Sequence, residues 1–283
     1  MVCMAMNKRI CAVTMVRNDE FFLRRWVAYY GSELGFENLF VFLDGTDQAL
    51  PDWCPDVNVT ARERVAGQVA AADKGRIDFL SSKAAELLQR YDMVIGTDVD
   101  EFLIVDPELN VSLVEFLSSL PPRISYSGLG IDVGQHTGKE GEIDDSLPFL
   151  TQRRHAVLST RYSKSSEITG PVAWGSGFHR VRNRNFHIVK DLYLFHFGCV
   201  DLKRLEAKIT DKDKIATGWS RHLAKRTKTI RDISSGMIRS WESWIPVART
   251  LQNVVRPPYA WNKPAMFNMR LVVEIPERFK EIV

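Results

Sequence analysis

Two short apolar runs, separated by an amphipathic segment, constrain the fold of this chain more than any other feature. Residues 10–16 and 39–43 are almost wholly apolar and have polar flanks, as buried parallel strands do. Between them, large apolar residues recur every four positions and predict a helix with one buried face: Phe22, Trp26, Tyr30 and Leu34. Strand, helix and strand within about 35 residues form a βαβ unit, so we predict an α/β fold with a parallel sheet.

The rest of the chain extends this pattern. The sequence predicts, in order, a helix over 77–91, a strand over 92–97, a helix over 110–120 and a strand over 192–197. From residue 200 onward the pattern is mostly helical. We therefore expect a mostly parallel, Rossmann-like sheet flanked by helices in residues 1–200 and a helical C-terminal extension in residues 201–283.

Composition and charge exclude several classes of protein. The 283 residues include 38 basic and 35 acidic side chains, and 45% are hydrophobic, as in soluble globular chains. A formal net charge of +3 lacks the clustered basic excess of nucleic-acid-binding proteins, so we expect no nucleic-acid partner. The cysteines are too widely spaced for a structural zinc site, which favours reduced thiols and a cytoplasmic location: Cys3, Cys11, Cys54 and Cys199. No apolar run approaches the roughly 18 residues that span a bilayer.

An acidic run directly after the strand predicted at 92–97 carries the strongest chemical signal. Asp98 and Asp100 lie two residues apart, so an extended backbone would point both carboxylates to one side. Ligands of open α/β sheets bind beyond the carboxyl ends of the strands. Two carboxylates there repel each other unless a cation lies between them, and Mg²⁺ or Mn²⁺, held partly by substrate phosphates, suits that arrangement. The alternative is a solvated acidic loop.

The second apolar run ends in another acidic turn. Asp44 follows it directly and is placed to accept a hydrogen bond from a base N–H or a ribose hydroxyl. Its alternative role is to cap the turn that follows, and the spacing does not separate the two.

Several of these segments together resemble the opening of bacterial family-2-like glycosyltransferases. Residues 16–20, 26–30 and 35–37 are similar to the first turn and helix of those enzymes. Residues 42–47 resemble their second acidic turn, and residues 97–103 resemble their Asp-x-Asp-Glu-Phe-Leu metal motif. The first turn departs from the family pattern by one inserted residue, an aspartate between the asparagine and the glutamate.

The resemblance covers residues 10–105, and in patches residues 170–215. It implies a GT-A fold, a nucleotide-sugar donor, and a Mn²⁺ or Mg²⁺ ion held by the acidic motif. The contacts it implies are Asp44 with the nucleoside, Arg17 in the base pocket, Lys83 near the diphosphate, and Asp98 and Asp100 on the ribose and the metal.

A late histidine is expected to complete the metal site. Glycosyltransferases of this kind often bring a histidine to the metal from the end of a strand, and His196 lies in the apolar run at 192–197. Neutral imidazole suits Mn²⁺. The alternatives are a buried histidine bonded to backbone, and His179 as the ligand instead.

Inverting sugar transfer also needs a base that removes the proton of the acceptor hydroxyl. Asp132 and Glu167 are the favoured candidates, although the pattern does not separate them from Asp144, Asp145 and Asp191.

The sequence therefore predicts a metal-dependent glycosyltransferase that moves a sugar from a nucleotide donor, UDP-sugar by preference, to a glycan or glycolipid hydroxyl. A nucleotidyltransferase uses similar chemistry, but it usually has a glycine-rich loop after its first strand, and residues 17–20 contain no glycine. A non-catalytic sugar- or lipid-binding module is the other alternative. Basic and aromatic residues of the extension leave membrane-surface contact, core packing and homo-oligomer contact open.

Overall fold

The computed structural model describes residues 7–64, 69–211, 215, 219–256, 258–265 and 271–283. Within these ranges the strands are β1 (Ile10–Val16), β2 (Leu39–Asp44), β3 (Asn58–Arg62), β4 (Met93–Gly96), β5 (Glu101–Val105), β6 (Ser125–Gly134), β7 (His155–Leu158), β8 (Glu167–Ile168), β9 (Ile188–Cys199), β10 (Ile238–Arg239) and β11 (Val272–Glu274). The α-helices there are α1 (Glu20–Leu34), α2 (Val69–Leu87), α3 (Leu113–Ser119), α4 (Phe149–Gln152), α5 (Leu202–Thr210), α6 (Trp219–Ser235) and α7 (Trp241–Val254).

One mixed sheet runs through the described residues, and its first half is the predicted parallel unit. β3, β2, β1 and β4 lie side by side in that order and are all parallel. β8 then joins β4 to β6 with antiparallel pairing on both sides, and β7 and β11 continue the sheet. β9 lies between β5, to which it is antiparallel, and β6, to which it is parallel. The α/β fold predicted from the sequence is thereby confirmed.

Local side-chain chemistry explains the first βαβ unit. All seven residues of β1 are buried, and so is the predicted apolar face of α1. Within that face, the Trp26 indole donates a hydrogen bond of 2.9 Å to Oγ1 of Thr97, the residue before the acidic run. Gly35 ends the helix with a φ of 89°, a value that glycine adopts without strain. The helix thus anchors the chain where β4 gives way to the acidic residues.

The chain after β4 differs from the expected extended segment. The backbone N–H of Glu101 donates to the carbonyl of Asp98 at 3.0 Å, so the acidic run is a tight turn. The turn leads into β5, which the sequence pattern does not predict because its partner strand lies far along the chain. β9 is longer than the predicted run at 192–197, and His196 therefore lies inside the strand rather than at its end. There it is opposite Glu101 on β5 and Asp132 on β6.

The segment after residue 200 packs on the core of the sheet. Trp241 and Phe279 are buried against Tyr193 and Phe195 of β9. The segment contains α5, α6 and α7, in keeping with the predicted helical character, and it adds β11, which pairs with β7. Its separation from residues 1–200 as a domain stays a prediction.

Two further predictions concern the cysteines, expected as reduced thiols, and the lack of an apolar run long enough to span a bilayer. Cys11, Cys54 and Cys199 are buried free thiols, whereas Cys3 lies outside the described residues. None of the helices in the described part of the chain combines the length and the apolar character that crossing a bilayer requires.

Candidate active site

Three carboxylates converge in the turn between β4 and β5. One oxygen each of Asp98, Asp100 and Glu101 lie within 4.8 Å of one another. Asp100 and Glu101 are buried, whereas 28% of the Asp98 side chain is exposed. Burial raises the pKa of Glu101 to about 7. Carboxylates this close repel each other, so the turn requires cations among them.

Two cations from distant parts of the chain bind Asp98. Arg76 on α2 donates from Nη1 to Oδ1 at 2.7 Å, and Lys164 donates from Nζ to Oδ2 at 2.9 Å. Lys164 is buried, and its ammonium also lies 2.5 Å from Oε1 of Glu101. Burial alone would raise the pKa of Asp98, but the charges of Lys164 and Arg76 hold it well below its usual range. Both oxygens of Asp98 are therefore engaged in ion pairs.

Asp100 faces His196 across the pairing of β5 with β9. Nε2 of His196 lies 3.4 Å from Oδ2 of Asp100, which is longer than a normal N–H···O hydrogen bond. Arg226 on α6 donates to the same oxygen at 3.1 Å. Burial opposes ionisation of Asp100, yet His196 and Arg226 hold its pKa well below the usual value. Asp100 is therefore a buried, charged hydrogen-bond acceptor.

Two neighbours fix the ring of His196, and a third holds one of them in place. Its Nδ1 lies 2.7 Å from Oδ1 of Asp132, and Oδ2 of Asp132 accepts a hydrogen bond of 2.7 Å from Thr229 on α6. Tyr162 stacks on the imidazole with 3.7 Å between ring centroids. The His196 side chain is fully buried, and among the described residues Nε2 has no hydrogen-bond partner. Nε2 is thus the ring nitrogen left for a ligand.

A glycine keeps the space beside this nitrogen open. A Cβ atom at Gly198 would lie 2.6 Å from Nε2 of His196 and 2.5 Å from Nη1 of Arg226. Both separations are shorter than any van der Waals contact of a carbon atom allows. A side chain at this position would displace the imidazole or the guanidinium.

The geometry suits a hard divalent ion. Asp98, Asp100 and Glu101 each bring one carboxylate oxygen to the turn, and oxygen ligands of this kind suit Mn²⁺ or Mg²⁺. The buried Nε2 of His196 lies 3.4 Å from the Oδ2 oxygen of Asp100. Asp98 and Asp100 both already have cationic partners, Arg76 and Lys164 for Asp98 and Arg226 for Asp100. The metal-ligand role of Asp98, Asp100 and His196 stays a prediction.

A second close group, Asp132, His196 and Cys199, is chemically less suited to a metal. Burial raises the pKa of the Cys199 thiol well above its usual value. The thiolate form that a soft metal needs is therefore disfavoured.

The predicted nucleoside contacts lie at the carboxyl ends of β1 and β2. Arg17 donates from Nη1 to the backbone carbonyl of Asp44 at 2.8 Å, and both of its Nη atoms bind the Asp47 carboxylate. A neighbouring cavity of about 520 Å³ is lined by residues that follow the two strands, Asp47 and Trp53 among them. Arg17 and Asp44 therefore lie together, and their contact with a nucleoside stays a prediction.

Helix α2 brings Arg76, and not the predicted Lys83, to the acidic turn. Nζ of Lys83 lies 2.8 Å from Oε2 of Glu86, on an exposed part of the helix, whereas Arg76 contacts Asp98. α2 begins at the carboxyl edge of the sheet, and seven helical residues rise about 10 Å, so Lys83 lies farther from that edge. The role predicted for Lys83 at a diphosphate stays a prediction.

The sequence analysis does not predict three cations of the site: Arg76, Lys164 and Arg226. Seven-residue spacing places Arg76 on the same helical face as Lys83 and could have indicated it. Lys164 is 66 residues from Asp98, and Arg226 is 126 residues from Asp100. No local pattern could have indicated these two.

The two carboxyl groups predicted as the base are both buried. Both oxygens of Asp132 are engaged, by His196 and Thr229. Glu167 on β8 accepts a hydrogen bond of 2.7 Å from Ser166, while its second oxygen is buried with no hydrogen-bond partner among the described residues. Burial raises the pKa of Glu167 to about 8. Asp132 therefore contacts His196, burial favours the protonated form of Glu167, and the role of either as a base stays a prediction.

A strained turn packs against the cations that bind Asp98. Gly177 and Phe178 have φ values of 58° and 61°, and a positive φ is rare for a bulky residue such as phenylalanine. The buried Phe178 ring lies below Arg76 and Lys164, whose charged groups are 5.5 and 5.8 Å from its centroid. Such strain persists where the surroundings impose it, as they do at functional sites.

His179 follows this turn and lies near the same charges. Burial, together with the charges of Lys164 and Lys263, lowers the pKa of His179 to about 3, although Asp98 acts in the opposite direction. His179 is therefore neutral, and it stays the second candidate for the metal-ligand role.

No protein-family model and no curated protein matches this chain. Among solved structures, a mannose-1-phosphate geranyltransferase from Thermus thermophilus is similar over 94% of this chain and 74% of its own, at 11% identity and a TM-score of 0.29. Galactosyltransferase LgtC, in complex with donor and acceptor sugar analogs, is similar over 95% of this chain and 88% of its own, at 10% identity and a TM-score of 0.26. Both are transferases by name. At TM-scores this low, neither similarity bears on what this chain does.

Proposed function

We propose that this chain is a metal-dependent glycosyltransferase that moves a sugar from a nucleotide-diphosphate donor to an acceptor hydroxyl. The observation that carries the proposal is Nε2 of His196, which is buried, faces Asp100 and has no hydrogen-bond partner among the described residues. Leaving such a nitrogen unsatisfied costs about 1–3 kcal/mol. A metal ion bound to both side chains would satisfy it.

The charges and positions around the turn suit a nucleoside diphosphate. Arg226 and Arg76 lie at the two aspartates, and guanidinium groups bind phosphate oxygens through paired N–H donors. Arg17 and Asp44 lie at the ends of the neighbouring strands, where α/β sheets bind nucleotides. We propose a UDP-sugar as the donor, with its nucleoside at β1 and β2 and its diphosphate at the acidic turn.

Asp100 and His196 would hold the ion, with Asp98 as a third ligand. When bound, Mn²⁺ or Mg²⁺ would neutralise the charge that develops on the departing diphosphate. The protein's own part is positional: Asp132 and Tyr162 fix the imidazole plane. This preorganisation keeps Nε2 in place before a donor arrives.

The acceptor in this proposal is a hydroxyl of a glycan or glycolipid, and transfer occurs with inversion. The acceptor oxygen forms a bond to the anomeric carbon while the bond from that carbon to the diphosphate oxygen breaks, and a base takes the hydroxyl proton. The extension at 201–283 would offer contacts to a membrane surface or to a second copy of the chain.

Calorimetric binding of UDP to the full chain, with and without Mn²⁺, tests the proposal. We expect tight binding only when Mn²⁺ is present. Asp100→Ala should remove that metal-dependent binding, while Asp56→Ala, at an exposed aspartate, should leave it unchanged. UDP at about 100 times its Kd should raise the free energy of unfolding by about 2.7 kcal/mol, so thermal unfolding gives a second readout. Equal UDP binding by a folded Asp100→Ala variant would contradict the proposal.

The two alternative functions predict other results in the same assay. Stabilisation by a nucleoside triphosphate but not by UDP would indicate a nucleotidyltransferase. Binding of a sugar or lipid that requires neither nucleotide nor metal would indicate a non-catalytic binding module.

A further inference from the structure

A cavity of about 380 Å³ lies at the amino edge of the sheet, where its lining comes from residues that precede or begin β1, β2 and β4. β1 runs from Ile10 at this cavity to Val16 at the opposite edge, and seven strand residues span about 20 Å. The cavity is therefore separate from the candidate active site. Its volume is within the range of small-molecule binding sites, about 300–1,000 Å³.

Three cations and no acidic residue line this cavity: Lys8, Arg9 and Arg90. Arg9 has a carboxylate partner, because Asp92 accepts a hydrogen bond of 2.8 Å from its backbone N–H and lies 3.7 Å from its Nε. Among the described residues, neither Lys8 nor Arg90 forms an ion pair. Two positive charges at the cavity thus have no carboxylate of their own.

Neutral groups of α3 fix Lys8 at the cavity. Its Nζ donates a hydrogen bond of 2.9 Å to the carbonyl of Leu117, and its backbone N–H donates one of 2.9 Å to Oγ of Ser118. A cation suits the C-terminal end of a helix, where the carbonyl groups carry partial negative charge. Burial lowers the pKa of Lys8, although the charge of Asp92 acts in the opposite direction. An anion in the cavity would stabilise the charged ammonium.

The other walls of the cavity suit an apolar group. Ile10 and Leu34 are buried and line it, together with the ring of Tyr91. The Tyr91 hydroxyl donates a hydrogen bond of 2.9 Å to Oδ1 of Asn38, which holds the ring in place. The guanidinium of Arg90 lies 5.8 Å from the centroid of this ring. A ligand with an apolar ring and a charged group would therefore contact both kinds of wall.

We propose that this cavity binds a phosphate monoester carried on a small apolar group, with Lys8 and Arg90 on the phosphate oxygens and Tyr91 against the apolar group. A phosphate monoester carries about two negative charges at neutral pH, which would balance the two cations that lack a carboxylate. Arginine binds phosphate through paired N–H donors, and lysine binds it as a point charge. The site requires neither the sugar donor nor the metal of the proposed function.

Calorimetric titration of the full chain with phenyl phosphate, without nucleotide or divalent ions, tests the proposal. Three related probes each lack one feature: phenol has the ring without the charge, inorganic phosphate has the charge without the ring, and benzoate has a single charge. We expect phenyl phosphate to bind about 10-fold or more tightly than each of them. Equally tight binding of any of the three would contradict the proposal.

Four substitutions make the test specific to this cavity. Lys8→Gln and Arg90→Gln should each weaken binding of phenyl phosphate by about 10-fold or more, because each removes a charge-assisted hydrogen bond. Arg9→Gln should have a smaller effect, since Asp92 already pairs with Arg9. Lys74→Gln, at an exposed lysine of α2, is the matched control and should leave binding unchanged. Thermal unfolding confirms that each variant is folded.

A further variant separates this cavity from the acidic turn, whose cations also attract phosphate. Arg226→Gln should leave binding of phenyl phosphate unchanged. If binding is lost in Arg226→Gln and kept in Lys8→Gln and Arg90→Gln, the phosphate lies at the candidate active site and the inference is overturned. Equal losses in Lys74→Gln and Lys8→Gln would overturn it as well, because the effect would then come from net charge alone.

Discussion

Nδ1 of His196 lies 2.7 Å from Oδ1 of Asp132, and this contact connects helix α6 to the proposed metal site. The second oxygen of Asp132 accepts a hydrogen bond from the hydroxyl of Thr229, which lies on that helix. When a histidine binds a metal through one ring nitrogen, a carboxylate bonded to the other nitrogen fixes the tautomer and the orientation of the ring. Asp132 therefore has a positioning role in our proposal, and Nε2 is directed toward Asp100.

Replacing Asp132 should weaken metal binding. We expect Asp132→Ala to lower the affinity for Mn²⁺ by about 10- to 100-fold, because the imidazole loses the group that orients it. Thr229→Val should have a smaller effect in the same direction. Calorimetric titration with Mn²⁺ measures both, with Asp56→Ala as an exposed control. A folded Asp132→Ala chain with wild-type affinity would show that Asp132 does not act through His196.

Replacing Gly198 should close the space beside Nε2. A methyl group there would lie 2.6 Å from Nε2 and 2.5 Å from Nη1 of Arg226, so one of the two side chains has to move. We expect Gly198→Ala to lower metal-dependent UDP affinity by about 10-fold or more. Gly141→Ala is the matched control, since a Cβ at Gly141 would meet nothing within 4 Å. Equal losses in both variants would rule out this steric explanation.

The first βαβ unit could be predicted because its signals are local. The buried face of α1 repeats every four residues, and Gly35 ends the helix. β1 and β2 are short apolar runs with polar ends, and the acidic turn was recognisable because it follows another such run. Patterns that span a few residues are therefore enough to predict the sheet edge and the position of Asp98 and Asp100.

The side chains that surround Asp98 and Asp100 could not be predicted, because pairing between strands that are distant in the sequence brings them there. β5 is defined by its register with β9, in which Glu101 is opposite His196. The same strand places His196 beside Asp132 on β6. Burial of Glu167 depends on the packing of β8 between β4 and β6. The sequence does not predict β8, because a strand of two residues is too short to show a pattern.

Replacing Lys164 should destabilise the fold. Its ammonium is buried between Asp98 and Glu101, so Lys164→Met would leave two neighbouring carboxyl groups without it. Removing one partner of a buried ion pair costs about 3–5 kcal/mol. The control is Lys83→Met, which breaks an exposed pair with Glu86 that contributes about 0.5 kcal/mol or less. Urea unfolding without added divalent ions measures the difference, and equal stabilities of the two variants would show that the buried pairs contribute little.

Glu167 should make the stability of the protein depend on pH. Burial raises its pKa from 4.5 to about 8 in the folded chain. Between those values the unfolded chain releases the proton while the folded chain keeps it, so the free energy of unfolding falls as the pH rises, by about 1.4 kcal/mol for each pH unit. Glu167→Gln has the same shape and does not ionise. Urea unfolding at about pH 5 and about pH 8 should therefore show the variant gaining stability relative to wild type at the higher pH. A stability difference that is the same at both pH values would mean that Glu167 ionises as readily in the folded chain as in the unfolded one.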